Sequence, residues 1–258
     1  MYFRIAKEVK KYMFRHQGKS RTLKHNIHLA TVLSFVAGLV NVVGFLSFKQ
    51  LTTNVTGHFA LFVNDMSDFE FWRGTIYFLY IFSFLLGSFT SSFLIETFNE
   101  SKKMNVFAIP TLIESFILIS IALLSNFTGL LHPNTIICLL LFSMGLQNSY
   151  VTKISNAVVR TTHLTGLFTD LGIELSQLFF RKTDLYRKSI KATIKLRIYI
   201  ICFFFLGGLV GGFFFSTIDL KLNTLLIGAA VLLMSLFYDD LRYWLILKQR
   251  KHKSHVKN

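Results

Sequence analysis

The sequence predicts an all-α polytopic membrane protein, six transmembrane helices arranged as an inverted three-plus-three repeat with two re-entrant or interfacial half-helices. The first observation is composition: 52% of the 258 residues are hydrophobic, 29 are Phe and only 2 are Pro, with a mean hydropathy of +0.51. Several apolar runs reach the roughly 20 residues that cross a hydrocarbon core about 30 Å thick, which excludes a soluble domain. The second is duplication. Thr52-Thr53-Asn54-Val55-Thr56-Gly57 and Thr161-Thr162-His163-Leu164-Thr165-Gly166 both read Thr-Thr-x-x-Thr-Gly, each running on to a Phe, then an acid (Asp65, Glu174) and a serine (Ser67, Ser176) at matched spacing. Flanking blocks repeat in the same order: Gly38-Leu39-Val40-Asn41 with Gly145-Leu146-Gln147-Asn148, and the small-residue run 86–93 with 206–213. The third is charge, which sorts by side of the membrane.

Residues 1–26 carry eight Lys/Arg against one acid, with Phe3, Ala6 and Met13 at helical spacing. That pattern predicts a basic amphipathic helix on the inner leaflet, facing anionic lipids. Six spans follow, near 27–48, 74–97, 105–125, 133–151, 197–217 and 221–238. With the amino terminus inside, the cytoplasmic segments hold 25 of the 28 Lys/Arg, and only Lys49, Arg73 and Lys221 fall outside. The positive-inside rule therefore places both termini in the cytoplasm. Repeat 1 covers 27–128 and repeat 2 covers 129–238, divided at the external turn Ser125–Pro133; a basic tail follows at 239–258. Three spans per copy force the second copy to enter from the opposite side, as inverted-repeat transporters do. The small-residue blocks predict close helix approach and leave a homo-oligomer open. Residues 181–197 form a basic face at the inner membrane edge, so the net charge of +15 calls for lipid and not nucleic acid.

Each Thr-Thr-x-x-Thr-Gly motif follows the first span of its copy. One precedes an apolar stretch, His58–Val63, too short to cross; the other opens Leu164–Phe180, enough for about four turns of helix. Hydroxyls at a helix start can cap free amides, and Gly lets the backbone approach a ligand. The motifs are thus expected to open two half-helices whose positive ends meet near the midplane and favour an anion or electron-rich solute. The bland alternative is a pair of loop caps at the interfaces. The candidate solute-binding residues are Thr53, Thr56, Gly57 and His58 in the first motif, and Thr162, His163, Thr165 and Gly166 in the second. Asn41, Gln147 and Asn148 join them from the first helix of each copy, either bonding across helices or lining a pathway.

Glu114 stands mid-span with no basic residue within a helical turn, so it faces the bundle or a cavity, as a structural carboxyl or as a proton carrier. Asp170 and Glu174 share a helical face and are expected to pair with Arg160, Arg181 or Lys182, the alternative being an ion-coupling site. His58 and His163 are satisfied polar residues or, with Arg160, a means of attracting an anion or relaying protons. No metal spacing, Ser/His/Asp arrangement or phosphate loop supports an enzyme or a cofactor, and Cys138 and Cys202 read as small hydrophobes within spans.

The series Ala37-Gly38, Asn41, Gly44-Phe45, Val55-Thr56-Gly57, Met144-Gly145-Leu146-Gln147-Asn148, then residues 160–172, resembles the YoaK-type family of small bacterial integral membrane proteins, a domain of unknown function. The resemblance spans roughly 27–238 and implies a bacterial cytoplasmic membrane location, without an agreed activity or catalytic residues. The chain departs from that family's pattern at Asn41, where an acid is usual, and at His58, where Asn is usual, which puts proton coupling at position 41 in doubt. The function expected is a transporter or channel for a small solute, by analogy of architecture. The alternative is a non-transporting scaffold or sensor.

Overall fold

The computed structural model describes residues 22–98, 107–127, 130–180 and 183–238, and no strand occurs among them. The helices are α1 (Leu23–Phe48), α2 (Val55–Ser67), α3 (Phe71–Phe98), α4 (Ala108–Leu124), α5 (Pro133–Ser155), α6 (Leu164–Gln177) and α7 (Asp184–Ser216). They are followed by α8, Lys221–Tyr238, whose first turn Lys221–Thr224 is a 3-10 helix. The basic amphipathic segment and the basic tail predicted at the two ends lie outside the described residues, apart from the start of α1. Five helices (α1, α3, α5, α7 and α8) are long and apolar enough to cross a membrane. The other predicted span contains α4, whose 17 described residues make about 26 Å of helix.

Boundaries differ from the sequence reading in one place that matters. The span expected at 197–217 begins at Asp184, giving a helix of 33 residues. The basic stretch before 197 is therefore largely helical and continuous with the span, because Lys and Arg are good helix formers and no Gly or Pro intervenes.

Two helix pairs dominate the packing, α1 with α7 and α3 with α5. Each crosses at glycines. A Cβ added at Gly38 would run into the Phe204 carbonyl oxygen, and one at Gly207 into the Phe35 carbonyl. At the other crossing, Gly145 meets the Phe84 carbonyl and Gly87 meets that of Phe142. Ser88 adds a hydrogen bond there, its hydroxyl donating to the Gly145 carbonyl at 3.1 Å. Backbone-to-backbone approach of this kind is how helices gain dispersion energy where lipid removes any hydrophobic drive.

The apolar windows of α1 and α5 are each 61% buried, against 22% for α3 and 17% for α7, so α1 and α5 form the centre and α3 and α7 the flanks. The flanks turn large side chains outward, among them Phe78, Phe82, Phe89 and Phe93 on α3 and Phe205, Leu209 and Phe213 on α7. An exterior so rich in Phe and Leu belongs against hydrocarbon. Helix α4 packs on α5 and on the first turn of α8, where Asn126 and Asn223 exchange amide hydrogen bonds of 3.1 and 3.0 Å.

The two short helices run back along their neighbours. On α2, His58, Phe62 and Met66 meet Tyr80, Phe78 and Gly74 of α3 in that order, so the pair is antiparallel. The start of α2 lies beside Tyr80, about 13 Å along α3 from Phe71. Helix α6 is likewise antiparallel to α7: Arg187 reaches the Leu178 carbonyl while Arg197 reaches Asp170. Both short helices thus have their amino-terminal ends deep in the bundle and their carboxyl ends toward its rim.

Candidate functional site: two threonine bends held against α1 and α5

The chain leaves α1 at Lys49, whose φ of 56° is left-handed and ends the helix, and doubles back along it. The Thr52 hydroxyl donates to the Val40 carbonyl at 3.1 Å, and its side chain fills the space a Cβ at Gly44 would need. The Thr53 hydroxyl donates to Oδ1 of Asn41 at 2.8 Å. The second bend starts the same way, from Asn156 at φ 54°, which ends α5. There the Thr162 hydroxyl donates to Oδ1 of Asn148, also at 2.8 Å. Gln147 bridges: its amide nitrogen donates to Thr161 Oγ1 at 3.2 Å and to the Leu33 carbonyl of α1 at 2.9 Å. Asn41, Gln147 and Asn148 therefore all bond across to other segments, and the Asn–Thr bond occurs in both bends.

The contact points fix the depth of the bends. Val40, where the first bend reaches α1, and Leu33, which Gln147 of α5 links to Thr161 of the second bend, straddle the midpoint of α1 and lie about 10 Å apart along its axis.

Thr56 and Thr165, the threonines before each Gly, lie inside the first turns of the short helices and do not cap them, contrary to one expectation from the motif. Asn54 caps α2, its Oδ1 accepting from the Thr56 N–H at 2.8 Å, while α6 starts at His163 with no side-chain cap. The left-handed residue that ends each first helix turns the next hydroxyls back toward that helix instead. Thr56 and Thr165 are exposed, and Gly57 and Gly166 are partly so. His163 lays its ring over Gly166, where a Cβ would collide with it.

One residue of each short helix is buried, His58 on α2 and Leu167 on α6, two positions past the inner threonine in both. His58 contacts the Leu51 carbonyl through Nε2. A carbonyl only accepts, so Nε2 bears the hydrogen and Nδ1 presents a lone pair, which has no partner. Its ring packs edge-on to Tyr80 at 5.1 Å and near Tyr77 at 6.1 Å. Tyr80 in turn donates to Asn134 of α5 at 2.8 Å.

The acids take a partner that the sequence reading did not name. Asp170 and Glu174 pair with Arg197 and not with Arg160, while Arg181 and Lys182 lie outside the described residues: Nε and Nη2 of Arg197 grip both oxygens of Glu174 at 2.9 Å, and Nη1 reaches Asp170 at 2.8 Å. The antiparallel course of α6 on α7 brings the two acids to this arginine. Glu114 is fully buried, with Oε2 accepting from the Tyr150 hydroxyl at 2.8 Å and Oε1 unpartnered. Among the described residues no three His, Cys, Asp or Glu side chains gather as a metal site would require. A cleft of about 390 Å³, lined by Glu96, Lys153, Thr152 and Asn156 among others, opens where α5 gives way to the second bend.

Residues 29–238, which contain both bends and nearly all of the described helices, match the family described as "Protein of unknown function (DUF1275)". The chain belongs to this family. It is also 25% identical over 186 residues to the "UPF0700 transmembrane protein YoaK" of Bacillus subtilis (strain 168), a match covering 70% of this chain and 80% of that relative. No solved structure matches. The YoaK-type resemblance seen in the motifs is thus borne out, and with it a multi-pass membrane protein of the DUF1275 family. Within this DUF1275 member, sequence reasoning missed Asn54, Tyr80, Tyr150 and Arg197. Only Arg197 left a usable trace, as the last cation of the basic stretch before an apolar run, one helix away from two acids four residues apart.

Proposed function

We propose that the chain is a transporter or channel for a small solute, with six spans in an inverted repeat, both termini cytoplasmic, and the solute site at the two bends. The observation that carries the reading is the duplicated Thr–Asn bond, Thr53 with Asn41 and Thr162 with Asn148, at matching positions of the two sequence copies. The glycine crossings support the same symmetry, since Gly38 on Phe204 and Gly207 on Phe35 recur as Gly145 on Phe84 and Gly87 on Phe142. Irregular backbone at membrane depth is tolerated where protein or a water-filled cavity covers it, and broken helices of this kind hold substrates in secondary transporters. Exposed Thr165 and partly exposed Gly166 at the uncapped start of α6 leave free amides for an anion or an electron-rich group.

The test is electrical recording from proteoliposomes on a solid-supported membrane, challenged in turn with halides, nitrate, phosphate, small carboxylates and neutral polyols. The expected result is a current or exchange signal with one class, abolished by Gly57→Val and by Gly166→Val in protein that still purifies monodisperse. Wild-type silence across the panel, with equal silence in solute-uptake assays, would favour the scaffold or sensor reading.

A further inference from the structure

The face of α5 that meets its neighbours is polar where the bundle is most enclosed. Ser143, Gln147 and Tyr150 are spaced i, i+4 and i+7, which aligns them on one side of the helix, and all three are fully buried. Gln147 reaches the second bend through Thr161, and Tyr150 reaches Glu114 on α4. Three polar atoms along this seam have no partner: Ser143 Oγ, Gln147 Oε1 and Glu114 Oε1. Buried polar atoms in native proteins are nearly always paired, and each unpaired one asks for a proton, a water or an ion. Helix α4 packs chiefly on α5, with smaller contacts to the first turn of α8 and to α3, and among the described residues the titratable side chain that meets Glu114 is Tyr150. Among the described residues, an ionised carboxyl there would have one hydroxyl donor and no cation to offset it, in a fully buried position.

We propose that Glu114 is a proton-binding site, with Tyr150 as its positioning residue, joined by the buried face of α5 to the second bend. The proton comes from water and adds to Oε1, converting an acceptor-only carboxylate into a group that can also donate; no bond to carbon changes. A proton suits the site better than a hard metal cation. Calcium and magnesium take about six or more oxygen ligands, whereas a proton needs one. Tyr150 already occupies Oε2, which leaves Oε1 as the exchanging atom. The proposal deepens the transport reading and rests on it for its purpose, since a proton bound next to a pathway supplies the driving force for a solute.

The experiment is infrared difference spectroscopy of the full chain in lipid bilayers, acid minus alkaline, with no solute present. The expected spectrum contains a protonated-carboxyl C=O band that shifts down in D2O and is lost in Glu114→Gln. In Tyr150→Phe the band should persist at a higher frequency and titrate with a displaced midpoint, because its hydrogen-bond donor is gone. Glu96→Gln, at an exposed ion pair with Lys153, is expected to leave the band in place. Absence of any titrating carboxyl band, or its retention in Glu114→Gln, overturns the proposal. So does an unaltered band in Tyr150→Phe, the arm that remains if Glu114→Gln does not assemble. A band that responds to sodium at fixed pH assigns the site to a metal cation and overturns it as well. None of these readings involves solute movement, so they fail or succeed separately from the transport recordings.

Discussion

The threonine hydroxyls at 53 and 162 are the smallest features that the two copies share in three dimensions. Each donates to an asparagine on the preceding long helix at 2.8 Å, and each asparagine is only partly buried. Side-chain hydrogen bonds between membrane helices contribute about 0.6–2 kcal/mol. Thr53→Val and Thr162→Val should each lower thermal stability in detergent by an amount in that range. Double-mutant cycles with Asn41→Leu and Asn148→Leu should return a positive coupling of similar size in both copies. Additive effects at both sites would mean that the hydroxyls hold nothing. His58 marks where the copies diverge, because the matching buried position in α6 is Leu167. A polar anchor with an unpartnered Nδ1 in one half, and an apolar anchor in the other, makes the two bends chemically unequal.

At the scale of the element, the described glycines differ in whether an added Cβ would meet backbone, a side chain or open space. Gly207 faces the Phe35 carbonyl, and backbone cannot step aside as a flexible side chain can. Gly207→Leu and Gly87→Leu should overpack their crossings and destabilise by about 1–3 kcal/mol or more. Gly172 on α6 has nothing within 4 Å of its added Cβ, so Gly172→Ala should stabilise that helix by about 0.5–1 kcal/mol. Thermal denaturation in one detergent measures all three. Unchanged stability at both 87 and 207 would place those faces against lipid.

For the whole molecule, the prediction concerns sidedness. The carboxyl ends of α2 and α6 sit near the starts of α3 and α7, and the inverted arrangement proposed above would put those two rims on opposite faces of the membrane. Single cysteines introduced at 130 and 185, after replacement of Cys138 and Cys202, should react with an impermeant reagent from outside and from inside respectively. The same side for both would leave the duplicated contacts without an inverted origin. Placement of Phe69, Phe71 and Trp72 at the α2–α3 rim and of Phe179 and Phe180 at the α6–α7 rim, all exposed, fits two interfacial aromatic belts.

The sequence by itself determined which stretches are helical and apolar, where each copy bends, and that Gly87 and Gly207 lie at close crossings. Those properties are local: run length, small-residue spacing and polar interruption are written in neighbouring residues. It also brought out Asn41, Gln147 and Asn148, since amides at matched positions stand out against apolar surroundings. Tertiary structure alone decided the partners. It paired α1 with α7 and α3 with α5, joining the first helix of one copy to the second of the other. It gave Asp170 and Glu174 to Arg197 and Glu114 to Tyr150, residues 23–36 positions away in the chain. It also turned Thr52 and Thr53 backward onto α1, an outcome set by one left-handed residue at Lys49. The physical reason is the same in each case. A side chain's chemistry states what kind of partner it requires, but which partner arrives depends on how the helices cross, and crossing is fixed by contacts distant in sequence.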